Sequence, residues 1–262
     1  MRRTTRPRLL AIWLILGAAS IGPGLVRAAA LTAAPAGADD AVSCANASGD
    51  VAIAACTRAI DSGHYHGQAL EKLYHDRAFK YYNNKRDNDR AIADYNDAIR
   101  IDPDNADAFY GRGNAWSEKF DDARAFADYD EAIRLDPNHA PALNNRGAAW
   151  LAMGQNDHAV ADFSAAIRID TRDADYYNNR GNAWHLKGDN DRAIADYNEA
   201  IHLNPGDPCP LYNRGNVWQA KGDQHRAFAD YDEAIRLAPN YRCWGVKRKT
   251  FAPSEHDRLS PS

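Results

Sequence analysis

The sequence predicts an all-α protein, an α-solenoid of stacked helix pairs. Three observations predict it. Trp116, Trp150, Trp184 and Trp218 stand 34 residues apart, and Gly113, Gly147, Gly181 and Gly215 keep the same step. Two alanine columns, from Ala91 to Ala227 and from Ala98 to Ala234, carry the period one unit further towards the N-terminus. Inside each period the apolar residues follow two helical stripes separated by a break. A fixed period of this size marks a solenoid, whose units bury their apolar faces only against their neighbours.

The unit at 174–207 justifies the elements in order. Tyr177, Gly181 and Trp184, at spacings of four and three, share one face of a first helix. Gly188 ends that helix, because glycine takes the left-handed conformation of a C-terminus without strain. Asp189 or Asp191 then caps the next helix by accepting its free N–H groups. On that second helix Ala193, Ile194, Tyr197, Ala200 and Ile201 form one stripe, and Pro205 stops it. Small residues mark close approach of the two helices; Trp184 and Tyr197 fill the space beside them.

At these residues the chain resembles the tetratricopeptide repeat family, whose 34-residue helix–turn–helix holds an aromatic residue, a glycine, two alanines and a proline at fixed offsets. The resemblance implies a right-handed superhelix with five full units at 72–105, 106–139, 140–173, 174–207 and 208–241. Three departures stand out. Phe79 replaces the glycine of the first unit, so its opening helix is expected to shift by a residue. Thr171 replaces the closing proline of the third. Arg112, Arg146, Arg180 and Arg214 stand where the family usually has leucine. A charge facing the core is costly unless paired. Each arginine is therefore expected to meet an aspartate of its own or the adjoining unit, from the column Asp94, Asp128, Asp162, Asp196 and Asp230. Two competing readings stay open: the arginines reach an acidic partner in the groove, or Arg90, Arg124, Arg192 and Arg226 occupy those aspartates as local pairs.

Upstream, "DVAIAACTRAID" matches the second-helix stripe, so 39–71 reads as a half repeat and its connection. Residues 1–38 join a basic start, "MRRTTRPR", to the apolar "LLAIWLILGAASIGPGLV" and the small-residue sites "AAA" and "AGA". That is the plan of a secretory signal peptide, the alternative being an uncleaved membrane anchor. Residues 242–262 are expected to form a C-terminal cap, within "YRCWGVKRKTF" (241–251), and a disordered tail.

The first 38 residues hold five of the 32 basic residues and no acid; without them 27 bases face 36 acids, net −9. An acidic solenoid without a basic stripe is a poor nucleic-acid binder. Membrane contact is expected only if the leader is retained. In an oxidising compartment Cys44 and Cys56 can form a disulfide, the alternative being two buried thiols. Cys209 and Cys243 occupy equivalent places in successive units, about a helix diameter apart, and are expected to stay unpaired unless the C-terminal segment leaves the repeat register.

The sequence carries no His-Glu-x-x-His, no phosphate-cradling glycine loop and no nucleophile elbow. His64, His66 and His75 lack a partnering cluster for a metal, and "DND" at 87–89 and 189–191 lacks the glycine and distal glutamate of a calcium loop. Neither a catalytic residue nor a cofactor is expected. What remains is a binding surface. In the family the first helices line the concave groove. Their exposed positions here hold Tyr110, Asn114, Asn144, Asn145, Asn178, Asn179, Asn182, Tyr212, Asn213 and Asn216. Asparagine offers a donor and an acceptor to peptide amides. Asn145, Asn179 and Asn213 match the asparagine ladder by which some members grip peptide backbone. The family's clamp for an acidic C-terminus is not matched, since Asp76, Asp107, Asp175 and Tyr110 stand where lysine should. The other reading of the asparagines is duplication without selection. The function expected is a non-enzymatic protein- or peptide-binding scaffold in the bacterial periplasm or envelope. Its alternatives are a membrane-anchored assembly factor and a carbohydrate binder.

Overall fold

The computed structural model describes residues 38–239, and among them every regular element is helical. The helices are α1 (Ala38–Asn46), α2 (Gly49–Asp61), α3 (Gln68–Lys80), α4 (Asn88–Ile101), α5 (Ala106–Glu118), α6 (Asp122–Leu135), α7 (Ala140–Ala152), α8 (Asn156–Ile169), α9 (Ala174–Leu186), α10 (Asn190–Leu203), α11 (Pro208–Ala220) and α12 (Gln224–Leu237). Each of the pairs α3/α4 to α11/α12 is one unit of the period, and each unit packs on the next. The leader, Cys243, the closing cap and the tail lie outside the described residues.

The glycine column explains how the two helices of a unit come together. A Cβ placed on Gly181 would lie 2.7 Å from Cε1 of Tyr197; on Gly147 it would lie 2.8 Å from Phe163 and on Gly215 2.6 Å from Tyr231. Here the glycine serves closeness rather than backbone freedom. Gly188 serves the opposite need: its φ of +83° lies in the left-handed region and turns the chain after α9. The second helices start at capped aspartates. Asp87, Asp121, Asp189 and Asp223 each accept the backbone N–H three residues on. The two "DND" stretches are thus helix starts.

The first unit shows the expected shift, and the structure locates its cause. A π turn, Tyr81–Lys85, follows α3 and absorbs one extra residue. Counting back through it, Ala78 rather than Phe79 occupies the glycine place, fully buried, while Phe79 is half exposed. Tyr81 takes the tryptophan place under the Arg90 guanidinium, 5.0 Å from the ring centroid.

Elsewhere that stacking is repeated. Arg124 lies over Trp116, Arg192 over Trp184 and Arg226 over Trp218, at 4.4, 4.6 and 3.7 Å. In the third unit the imidazole of His158 stacks on Trp150 at 4.7 Å. These arginines therefore serve tryptophans and their own caps rather than the buried aspartates of the second helices. Lysines at the ends of first helices reach back to the preceding unit, pairing Lys119 with Asp89, Lys187 with Asp157 and Lys221 with Asp191. The missing proline at Thr171 changes little, since α8 stops at Ile169 with the Asp170 N–H bonded to the Ala166 carbonyl.

The segment expected as a half repeat is a helix pair with a short first member. Cys44 of α1 and Cys56 of α2 are joined by a disulfide, with Cα atoms 4.6 Å apart, amid Ala55, Ala59 and Leu73. Asp40 and Arg58 pair across the same two helices.

Candidate functional site: the inner face of the first helices

Neighbouring first helices touch directly, α3 to α5, α7 to α9 and α9 to α11, whereas successive second helices are splayed apart. The first helices therefore lie closer together than the second helices do, on the inner side of the stack. The arginine column does not reach into the expected groove. Arg180 gives two parallel hydrogen bonds to Asp196, Nε to Oδ2 at 2.8 Å and Nη2 to Oδ1 at 2.7 Å. Arg112, Arg146 and Arg214 bind Asp128, Asp162 and Asp230 in the same way. The aspartates are buried. The remaining guanidinium N–H crosses to the second helix of the preceding unit, where it finds Asn96, Asp130, Ser164 or Asn198. Each arginine thus joins three helices. The bond to aspartate raises the pKa of Arg146 and Arg180 against burial, so both stay charged.

The asparagines form a second internal chain. Asn145 donates to the Asn114 carbonyl at 2.8 Å, Asn179 to Asn144 at 3.0 Å and Asn213 to Asn178 at 2.9 Å. Asn144 in turn donates to Asn145. Tyr129, Tyr197 and Tyr231 send hydroxyl hydrogens to Asn114, Asn182 and Asn216. Burial raises the pKa of these tyrosines, that of Tyr231 to about 12, so each remains a donor. All ten groove residues named from the sequence lie on α5, α7, α9 and α11. Nine are partly accessible; Asn178 is buried and is the exception to their expected exposure. The donor bonds of Asn145, Asn179 and Asn213 tie one unit to the next. Asn179, Asn182, Asn213 and Asn216 each remain partly accessible.

At the N-terminal end of the groove the chemistry changes. His139 caps α7, its Nδ1 accepting the Ala142 N–H at 3.1 Å. The neutral ring then carries its proton on Nε2 and donates it to Asp107 at 3.1 Å. Tyr110 packs on His139 with centroids 4.8 Å apart. The hydrogen bond from His139 holds the Asp107 carboxyl below its ordinary range, although burial opposes it. Glu71 is buried and receives a bond from Asn105 at 2.7 Å, and burial pushes its carboxyl up. Among the described residues no three His, Cys, Asp or Glu side chains are grouped to hold a metal ion, and no helix is long and apolar enough to cross a membrane.

Family models for the tetratricopeptide repeat match residues 174–207 and 210–241, and a model for the TPR repeat matches 81–119 and 150–188. The chain carries tetratricopeptide repeats. Solved structures agree on the fold. MamA from Desulfovibrio magneticus RS-1, from its residue 41 onward, superposes with a TM-score of 0.60 at 22% identity, covering 67% of this chain and 98% of that one. YrrB, described as a TPR protein with an unusual peptide-binding site, gives 0.57 at 22% identity, covering 71% and 93%. A thermophilic TPR protein of Thermus thermophilus gives 0.54 at 19%, covering 66% and 94%. No curated protein matches the sequence.

Four features of these repeats escaped the sequence reading. Arg77 pairs with Asp94 by two bonds of 2.8 Å, and the π turn hides it because the spacing is 17 residues instead of 16. The string "HDRAF" beside "YGRGN" and "NNRGN" was the available signal. Lysine and aspartate 30 residues apart recur in three unit pairs and are visible once the stack is known. His139 as a cap and Glu71 beneath Asn105 break the period, and no repeat argument finds them.

Proposed function

We propose that this chain is a non-enzymatic scaffold that binds another protein, as an extended segment, along the inner face of α5, α7, α9 and α11. One observation carries the reading. Along the inner face three amide bonds join adjoining units, and Tyr129, Tyr197 and Tyr231 hold Asn114, Asn182 and Asn216 within their own units, so this row of polar groups is fixed in place before a ligand arrives. Peptide backbone is the ligand whose own amides suit such a row. The description of YrrB as peptide-binding supports the reading, since the two proteins share a fold.

The leader plan of residues 1–38 and the disulfide at the N-terminal end support action in the bacterial periplasm or envelope. An uncleaved leader would make the same solenoid a membrane-anchored assembly factor; the N-terminal mass of protein from the producing cell separates the two. For binding, a photo-crosslinking residue at Ala148, exposed on α7, should capture a protein partner in cells, and one at Ala195, exposed on α10, should not. Equal capture at both, or at Ala195 alone, would remove the groove from the account.

A further inference from the structure

The inner face has lost its cations to internal bonds. Arg112, Arg146, Arg180 and Arg214 are the only lysine or arginine residues of α5, α7, α9 and α11, and each is locked onto a buried aspartate. Lys119, Lys187 and Lys221, which follow three of these helices, are drawn away to the preceding second helices. One exposed cation, Arg172, stands in the loop before α9. What these helices still present is acid. Asp107 and Asp175 are the second residues of α5 and α9, and both are exposed. Asp173 and Asp207 cap α9 and α11 beside Asp175. Burial, then the charges of Asp173 and Asp207, push the Asp175 carboxyl up. At the other end Glu71, Asp102 and Asp107 line one depression between α3 and α5, with Lys72 its single lysine or arginine.

Resting on the peptide-binding reading above, we infer that the groove selects a basic segment, an extended peptide carrying lysine or arginine side chains that meet Asp107 and Asp175. The spacing follows from the repeat. The two aspartates hold the same place two units apart, and adjacent inner helices are separated by about a helix diameter, ~10 Å. An extended chain rises by ~3.3 Å per residue, so the two cationic side chains fall roughly six residues apart. The amides between them, on α7 and α9, hold the intervening backbone. Charge supplies the choice of partner and the rate of encounter, and both weaken as salt screens the field.

Selection from a random peptide library on the full chain, and on its Asp107→Asn/Asp175→Asn variant, tests this. Circular dichroism should show the variant as helical as the parent. The expected binders are enriched in lysine and arginine at a separation of about six, lose tenfold or more of their affinity on the variant, and weaken as sodium chloride is raised. Binders with no charge bias, or enriched in acid, would overturn the inference and leave a peptide-binding groove standing. Binders enriched in bases whose affinity the variant does not change would overturn it too, by placing the basic site elsewhere. An absence of any binder would remove the groove reading and this inference together.

Discussion

Arg180 and Asp196 share two hydrogen bonds inside one unit, and the third arm of Arg180 rests on Ser164 of the unit before, 3.2 Å away. The same three-helix knot recurs along the stack, which makes it the part of the architecture with the most to lose.

Removing one partner leaves a buried charge. Arg180→Leu should cost about 3–5 kcal/mol, and Arg180→Leu with Asp196→Leu should recover most of that, because a buried ion pair is costly mainly when broken. A double-mutant cycle by urea denaturation should give coupling above ~1 kcal/mol. Coupling near zero would mean the pair contributes nothing to the stack.

Gly181→Ala should destabilise by about 1–3 kcal/mol, since the new methyl would meet the Tyr197 ring at 2.7 Å and one of the two helices must move. Gly206→Ala is the control: its nearest neighbour to a new Cβ is the Asn204 side chain at 3.6 Å, an ordinary contact. Thermal melting of both variants checks the contrast.

The two glycines also show what the sequence disclosed. Period, helix pairing and the arginine–aspartate column were legible because each is written several times over, and repetition outvotes local noise. Legibility ended where the chain departs from its own repeat. The π turn after Lys80 moves the first unit's register by one residue, which hid Arg77. His139 stands at a cap that its neighbours fill with Asn105, Asp173 and Asp207, and its bond to Asp107 depends on two units meeting in space. Spacing along the chain places the asparagines on the first helices. That they also bond one another required the distance between units, which spacing along the chain does not contain.

Asp107 should give the protein an acid-sensitive contribution. Its folded carboxyl lies below the ordinary range because His139 donates to it. A depressed carboxylate stabilises the fold at pH values above its unfolded pKa, near ~4, and that contribution is lost as pH falls through the lower folded value. Melting curves should therefore show the parent more stable than Asp107→Asn at neutral pH, with the difference closing in acid. A constant difference would exclude the titration of Asp107 as its cause.

Reduction of the Cys44–Cys56 bridge should remove on the order of 3 kcal/mol from the N-terminal helix pair, as expected for a loop of this length. Hydrogen exchange should then quicken in α1 and α2 while α7 to α12 hold their protection. Uniform loss of protection would show that the solenoid unfolds as one unit.

The central claim, that the inner face of the first helices is the binding surface, meets its most direct test in two exposed alanines. Ala148 lies on α7 at the place that Asn114, Asn182 and Asn216 hold in other units, and Ala195 lies on α10. Neither substitution removes a hydrogen bond. In a binding titration with a ligand selected on the parent chain, Ala148→Trp should abolish binding by filling the groove, Ala195→Trp should leave it unchanged, and both variants should melt near the parent. Full affinity in Ala148→Trp, or its loss in Ala195→Trp alone, would contradict the account.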